Sequence, residues 1–125
     1  MNSKIKNALI SLSDKENILS LIKVLKKYDI NILSSGGTYK YIKKLGYRCT
    51  EISKYTGFRE MLDGRLKTLH PKIHAGILHD RQNKFHKSEM NKHKFPPIDL
   101  IIVNFYPFQK VVTNSKNVKS IIENI

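Results

Sequence analysis

Ile98-Asp99-Leu100-Ile101-Ile102-Val103-Asn104-Phe105 carries the strongest strand signal in the chain. Its near-continuous apolar run suits a central strand covered on both faces, as in a parallel sheet. Pro96-Pro97 ends the segment before it, and Asn104-Phe105-Tyr106-Pro107-Phe108 closes it. Working back toward the N-terminus, Asn7-Ala8-Leu9-Ile10-Ser11-Leu12 is a second short buried strand. Ile30-Asn31-Ile32-Leu33 is a third, and residues 47–52 make a fourth.

Helical patterns fill the gaps. Ser13 with Glu16 three residues on forms a capping-box signal. The helix it opens places Ile18, Leu21, Ile22, Leu25 and Tyr28 on one face and lysines on the other. After the turn Ser34-Ser35-Gly36-Gly37, a second helix capped by Thr38 turns Tyr41, Ile42 and Leu45 inward and stops at Gly46. Residues 53–82 are rich in Gly, Asp and Pro, with short helix-like pieces at 58–62 and 73–78. Residues 83–94 read as a Lys-rich surface helix or loop, and 118–123 as a terminal helix. Strands alternating with helices predict one three-layer α/β domain over residues 1–125, with a mainly parallel central sheet. Ligands in such sheets gather beyond the carboxyl ends of the strands. Residues 13–15, 35–38 and 104–108 all begin there.

The 125 residues suit one core, and 40% hydrophobic with 26% charged residues is ordinary for a globular protein. No apolar run is long enough to span a membrane. The start Met1-Asn2-Ser3-Lys4 lacks the pattern of a signal peptide. Cys49 stands alone, which gives no disulfide framework and points to the cytoplasm. The net charge of +13 comes almost entirely from Lys; the only Arg residues are Arg48, Arg59, Arg65 and Arg81. Base recognition favours Arg with patterned aromatics, so this composition argues against nucleic acid. It favours anionic metabolites.

Chemistry concentrates in Asp63-Gly64-Arg65-Leu66-Lys67-Thr68-Leu69-His70-Pro71-Lys72-Ile73-His74. Arg65, Lys67, Thr68 and Lys72 are donors to anionic oxygen, and a solvated Lys-rich loop is the plain alternative. Ser35-Gly36-Gly37-Thr38, between strand and helix, lets backbone amides approach an anion, and is equally a tight turn with a cap. Ser13-Asp14-Lys15 is a second such junction. His70 and His74 have helical metal-pair spacing, but Pro71 takes His70 out of a helix interior and no third ligand is evident; no metal is expected. Asn104 and Tyr106 offer an amide and a phenol at the sheet's edge.

Together these segments resemble the N-terminal part of the bifunctional purine-biosynthesis enzymes that combine AICAR formyltransferase with IMP cyclohydrolase. The matching stretches are Ala8 to Lys15, Leu33 to Thr38, Tyr55-Thr56-Gly57-Phe58, Asp63 to His74 and Pro97 to Phe108. The resemblance implies a methylglyoxal-synthase-like domain and a purine ribonucleotide ligand. It implies closure of FAICAR to IMP with loss of water, without a cofactor; the formyltransferase half would use 10-formyltetrahydrofolate. By matching motif, Ser13, Asp14, Lys15, Ser35, Gly36, Gly37, Thr38, Arg65, Leu66, Lys67, Thr68, Val103 and Asn104 should contact the nucleotide. Lys67 and Tyr106 should orient and polarise the reacting groups. The family also implies a homodimer.

The chain departs from the family at Glu16-Asn17, where Thr-Gly is common. Arg59 replaces the usual Pro, Ala75 the usual Gly, and Phe105 the usual Leu. The family continues with an Asp-Ile-Gly-Gly motif and a later catalytic Lys, beyond Glu123-Asn124-Ile125. The expectation is therefore an incomplete cyclohydrolase portion. The alternative is a non-catalytic phosphate- or nucleotide-binding regulatory module of the same fold. Methylglyoxal synthase is a weaker rival, for want of matching catalytic carboxylates.

Overall fold

The computed structural model describes residues 4–114 and 117–122. Its framework is a parallel sheet of β1 (Asn7–Ser11), β2 (Asn31–Ser34), β3 (Thr50–Glu51) and β4 (Leu100–Val103), in the order β3-β2-β1-β4. In register, Ala8 lies beside Ile32 on one side and Leu100 on the other.

Alternation along the strands divides the core into two clusters, one on each face of the sheet. Ala8, Ile10, Ile30 and Ile32 pack with Ile18, Ile22 and Leu25 of α1 (Ile18–Lys27) and Ile42 of α2 (Gly36–Lys44). Leu9, Leu33 and Ile98 pack with Ile52 of α3 (Ile52–Thr56) and Ile73 of α4 (Pro71–Leu78). The result is the three-layer α/β arrangement. Ile10, Ile22, Ile32 and Ile42 are fully buried. Each contributes about 1.5–3 kcal/mol relative to exposure. Beyond α4 lie α5 (Lys84–His93), α6 (Phe108–Asn114) and α7 (Val118–Ile122). Position 123 of the expected terminal helix falls outside the described residues.

Several local expectations change. Ser13 and Glu16 form no capping box. Asp14 Oδ1 instead accepts from the Glu16 amide at 2.9 Å, and Asn17, at φ 62°, precedes α1 without a side-chain cap bond. An Asx turn thus competes successfully with the cap. Residues 13–15 consequently lie in a loop, not in the first turn of a helix. Tyr28 and Tyr41 are exposed where the helical stripe predicted burial; Tyr28 lies beyond the end of α1, as its C-cap. Residues 47–52 shrink to the two-residue β3, and residues 58–62 are not helical.

The largest change concerns β4, which is an edge strand and not a central one. Leu100 and Ile102 face the α1–α2 cluster, whereas Ile101 is 42% and Val103 63% exposed. An apolar run shows that both faces can be covered; which strand stands beside it is decided elsewhere.

Asp99 fastens this edge to β1. Its Oδ2 accepts from the amides of Lys6 (2.8 Å) and Asn7 (3.0 Å), and Oδ1 accepts from Arg81 Nη1 at 2.6 Å. Burial pushes the Asp99 carboxyl upward, but the two amides and the guanidinium outweigh it and hold it below the usual range.

Candidate functional site

The carboxyl ends of β1, β2 and β4 open into a polar cavity of about 340 Å³. Ser13, Lys15, Ser35, Gly37, Thr38, Lys67, Val103, Asn104 and Tyr106 line it, all of them expected from the sequence. Ser11 and Leu12 also line it and were not anticipated. They belong to the strand's end, where only the pairing register reveals which residues face the opening.

A second cavity of about 220 Å³ shares Ser35 and Lys67 with the first. Its other lining residues are Glu51, Ile52, Ser53, Arg59 and Glu60. None of these five carries a site signal in the sequence: Glu51 ends β3, and the other four follow it in a poorly patterned segment.

The wall made by α2 and the β1 loop is bonded to itself. Ser35, in extended conformation at φ −140°, precedes α2, so it and not Thr38 holds the N-cap position. Its side chain makes no cap bond, and the residue lines both cavities. Thr38 is buried, and its Oγ1 both accepts from the Leu12 amide and donates to the Leu12 carbonyl, each at 3.1 Å. Gly36 has φ 55°, a conformation that favours glycine. The amides of Gly36, Gly37 and Thr38 open the helix, where the first N–H groups lack intrahelical acceptors and favour anions.

Two ammonium groups flank this helix start. Lys15 Nζ donates to the carbonyls of Leu12 (3.1 Å) and Ser13 (3.4 Å), and stands 3.7 Å from where a Cβ on Gly37 would lie. Lys67 Nζ stands 3.8 Å from the corresponding point on Gly36. No protein hydrogen bond or ion pair engages the Lys67 side chain among the described residues. Free amides with a cation on either side form an arrangement suited to an anionic ligand.

Asn104 reaches across from the end of β4. Its Oδ1 accepts from the Ser13 amide at 2.7 Å and its Nδ2 donates to the Asp14 carbonyl at 2.8 Å. The side-chain amide is thus engaged in holding the β1 loop beside the cavity.

Five expected contacts do not line the cavity. Gly36 borders Lys67, and Asp14 is engaged with Glu16. Leu66 exchanges backbone bonds with Met61 (2.9 and 3.2 Å). The Thr68 carbonyl accepts from the His70 amide at 2.9 Å. Arg65 is exposed, with Nη1 on the Leu62 carbonyl at 3.3 Å and 4.0 Å from Asp63. His70 caps α4, its Nδ1 accepting from the Lys72 amide at 3.0 Å with Pro71 at the first helical position. Among the described residues no group of three or more His, Cys, Asp or Glu could hold a metal ion, and no helix is long and apolar enough to cross a membrane.

Fold and cleft define a parallel α/β domain with a cationic pocket at the carboxyl ends of its strands. The chain belongs to the MGS-like domain family, matching over residues 17–125. It is 48% identical over 121 residues to the bifunctional purine biosynthesis protein PurH of Rhodospirillum rubrum, a match spanning 97% of this chain. It is 44% identical over 122 residues to PurH of Bradyrhizobium diazoefficiens, spanning 98% of this chain. In both cases the match spans 23% of the relative's length. A solved structure, described as the crystal structure of ForH, superposes with a TM-score of 0.74 at 32% identity, covering 81% of this chain and 51% of that one.

Proposed function

We propose that this chain is the nucleotide-binding part of an IMP cyclohydrolase within a bifunctional purine-biosynthesis enzyme, acting on FAICAR to form IMP. One observation carries the reading: Lys15, Lys67 and the opening amides of α2 converge on one cavity whose far wall holds Tyr106. The phosphate would sit against the helix start on its Lys15 side, directing the base toward Lys67 and Tyr106 on the other.

In the ring closure, the carboxamide nitrogen bonds to the formyl carbon. The formyl oxygen departs as water with one proton from each nitrogen. Because both reacting groups belong to one molecule, holding them in contact geometry supplies much of the acceleration. The Lys67 ammonium and the Tyr106 hydroxyl are the donors placed to stabilise charge developing on the formyl oxygen. The step calls for no redox or group-carrying cofactor. In this reading the remainder of the enzyme supplies further groups and the dimeric assembly, and the setting is cytoplasmic.

Calorimetric titration with IMP, inosine and inorganic phosphate tests the assignment. IMP is expected to bind more tightly than either fragment. Similar affinities for unrelated phosphorylated metabolites would instead support a regulatory phosphate-binding module. Failure of the folded chain to bind millimolar IMP would remove the nucleotide reading.

A further inference from the structure

The segment between α3 and α4 is folded back on itself at some conformational cost. Met61 and Leu66 form an isolated antiparallel bridge, exchanging both backbone bonds. The turn between them runs through three successive positive φ angles: Leu62 at 54°, Asp63 at 55° and Gly64 at 84°. The first two are non-glycine residues in the left-handed region, which costs roughly 1 kcal/mol each. Leu62 recovers none of this by packing, since it is 62% exposed.

What the turn achieves is a juxtaposition. In an antiparallel pair, the residues flanking a doubly bonded bridge face each other as a close, non-hydrogen-bonded pair. Here those residues are Glu60 and Lys67. Opposite charges in that position attract. Both side chains gather at Gly64: a Cβ there would lie 2.9 Å from Glu60 Oε1 and 3.7 Å from Lys67 Nζ. Only glycine leaves that space open. Neither side chain has a hydrogen bond or ion pair with any described residue, and the two charged ends, though gathered at one point, are not within ion-pair distance of each other. Glu60 lines the smaller cavity alone, whereas Lys67 lines both.

We propose that Glu60 is a positioning residue for Lys67, holding the ammonium at the divide between the two cavities. The proposal rests on the nucleotide reading above. Without a counter-charge, a flexible lysine near a bound phosphate would be drawn onto it, whereas Lys15 is tethered there by the Leu12 and Ser13 carbonyls. A carboxylate on the other side keeps Lys67 available for the ligand's reacting end. The groups facing Lys67 are Glu51, Arg59 and Glu60 in the smaller cavity and Lys15 and Tyr106 in the larger. Among them Glu60 is the one that flanks the bridge beside Lys67 and reaches the same point at Gly64.

Glu60→Gln preserves shape and removes the charge. In the full chain, the ratio of IMP to inorganic phosphate affinity is expected to fall about fivefold, as Lys67 relaxes toward the phosphate. In a Lys67→Ala background, Glu60→Gln should leave that ratio unchanged. NMR of labelled lysine should show the Lys67 side-chain resonances displaced in Glu60→Gln, because the neighbouring charge is gone. Glu60→Asp, retaining the charge, should restore part of that displacement. Equal weakening of both ligands with the ratio intact would mean a merely structural role and overturn the proposal. So would a fall in the ratio that persists in Lys67→Ala, or unmoved Lys67 resonances. If the wild-type chain binds no IMP, the nucleotide reading fails, while the Lys67 resonances still decide whether Glu60 acts on Lys67.

Discussion

The two walls of the cleft are made differently. On the α2 side, Thr38 and Asn104 spend their polar groups on Leu12, Ser13 and Asp14, so the wall is fixed by hydrogen bonds across the sheet. On the hairpin side, Glu60 and Lys67 gather beside Gly64 without a hydrogen bond or ion pair to any described residue, positioned by a strained turn and one backbone bridge. Polar groups that are bonded within the protein build a site; those left over are available to a ligand. The stitched wall supplies shape, and the hairpin supplies charge that can still respond.

Thr38→Val tests the stitched wall most severely. It leaves both Leu12 backbone groups unpaired in a part-buried setting and should cost about 1–3 kcal/mol in chemical denaturation. Phosphate affinity should fall with it. Asn104→Ala removes two bonds at an exposed position, where water replaces them, so about 1 kcal/mol is expected. Its sharper signature is faster exchange of the Ser13 amide proton. If that exchange is unchanged, the β1 loop does not depend on Asn104 and the contrast between the walls is lost.

Gly64→Ala probes the other wall. Adopting φ 84° with a Cβ costs about 1 kcal/mol, and the Cβ would press on Glu60. Stability should fall slightly while the IMP-to-phosphate affinity ratio falls clearly, the reverse of the balance expected for Thr38→Val. The smallest effect lies outside both walls, at Asp99. Its carboxyl is held below the usual range, so its contribution is complete above the unfolded-state value of about 3.9 and is lost as pH falls through the folded value. An Asp99→Asn variant should therefore show a shallower loss of stability between neutral and strongly acidic pH than the wild type.

Much of this architecture was legible because periodicity reports burial. Ile18, Ile22 and Leu25 recur at helical spacing, and Ala8 with Ile10 at strand spacing, so α1 and β1 stood out. The position of β4 did not, because apolar content says that a strand can be covered but not by what. The loop at residues 13–17 is ambiguous in sequence, since Asp14 and Ser13 both suit a helix start and local competition decides between them. Lys15, Ser35 and Lys67 were accessible through the donor chemistry of their motifs. Glu60 was not, since its importance depends on a backbone bridge six residues wide with no sequence signature beyond Asp63-Gly64. Asn104 was found, but its bonds to residues some 90 positions away cannot be read from its neighbours.

The strand register also orders events in time. β1 meets β2 across 24 residues but meets β4 only across 92. Closing the longer loop costs more chain entropy and is expected to come later. The pocket straddles that seam, with Ser13 on one side and Asn104 on the other. A nascent chain can therefore acquire its α1–α2 core while still having no pocket at all. The ability to hold a ligand arrives with the final long-range closure, and a ligand that then occupies the pocket acts as a clasp on it.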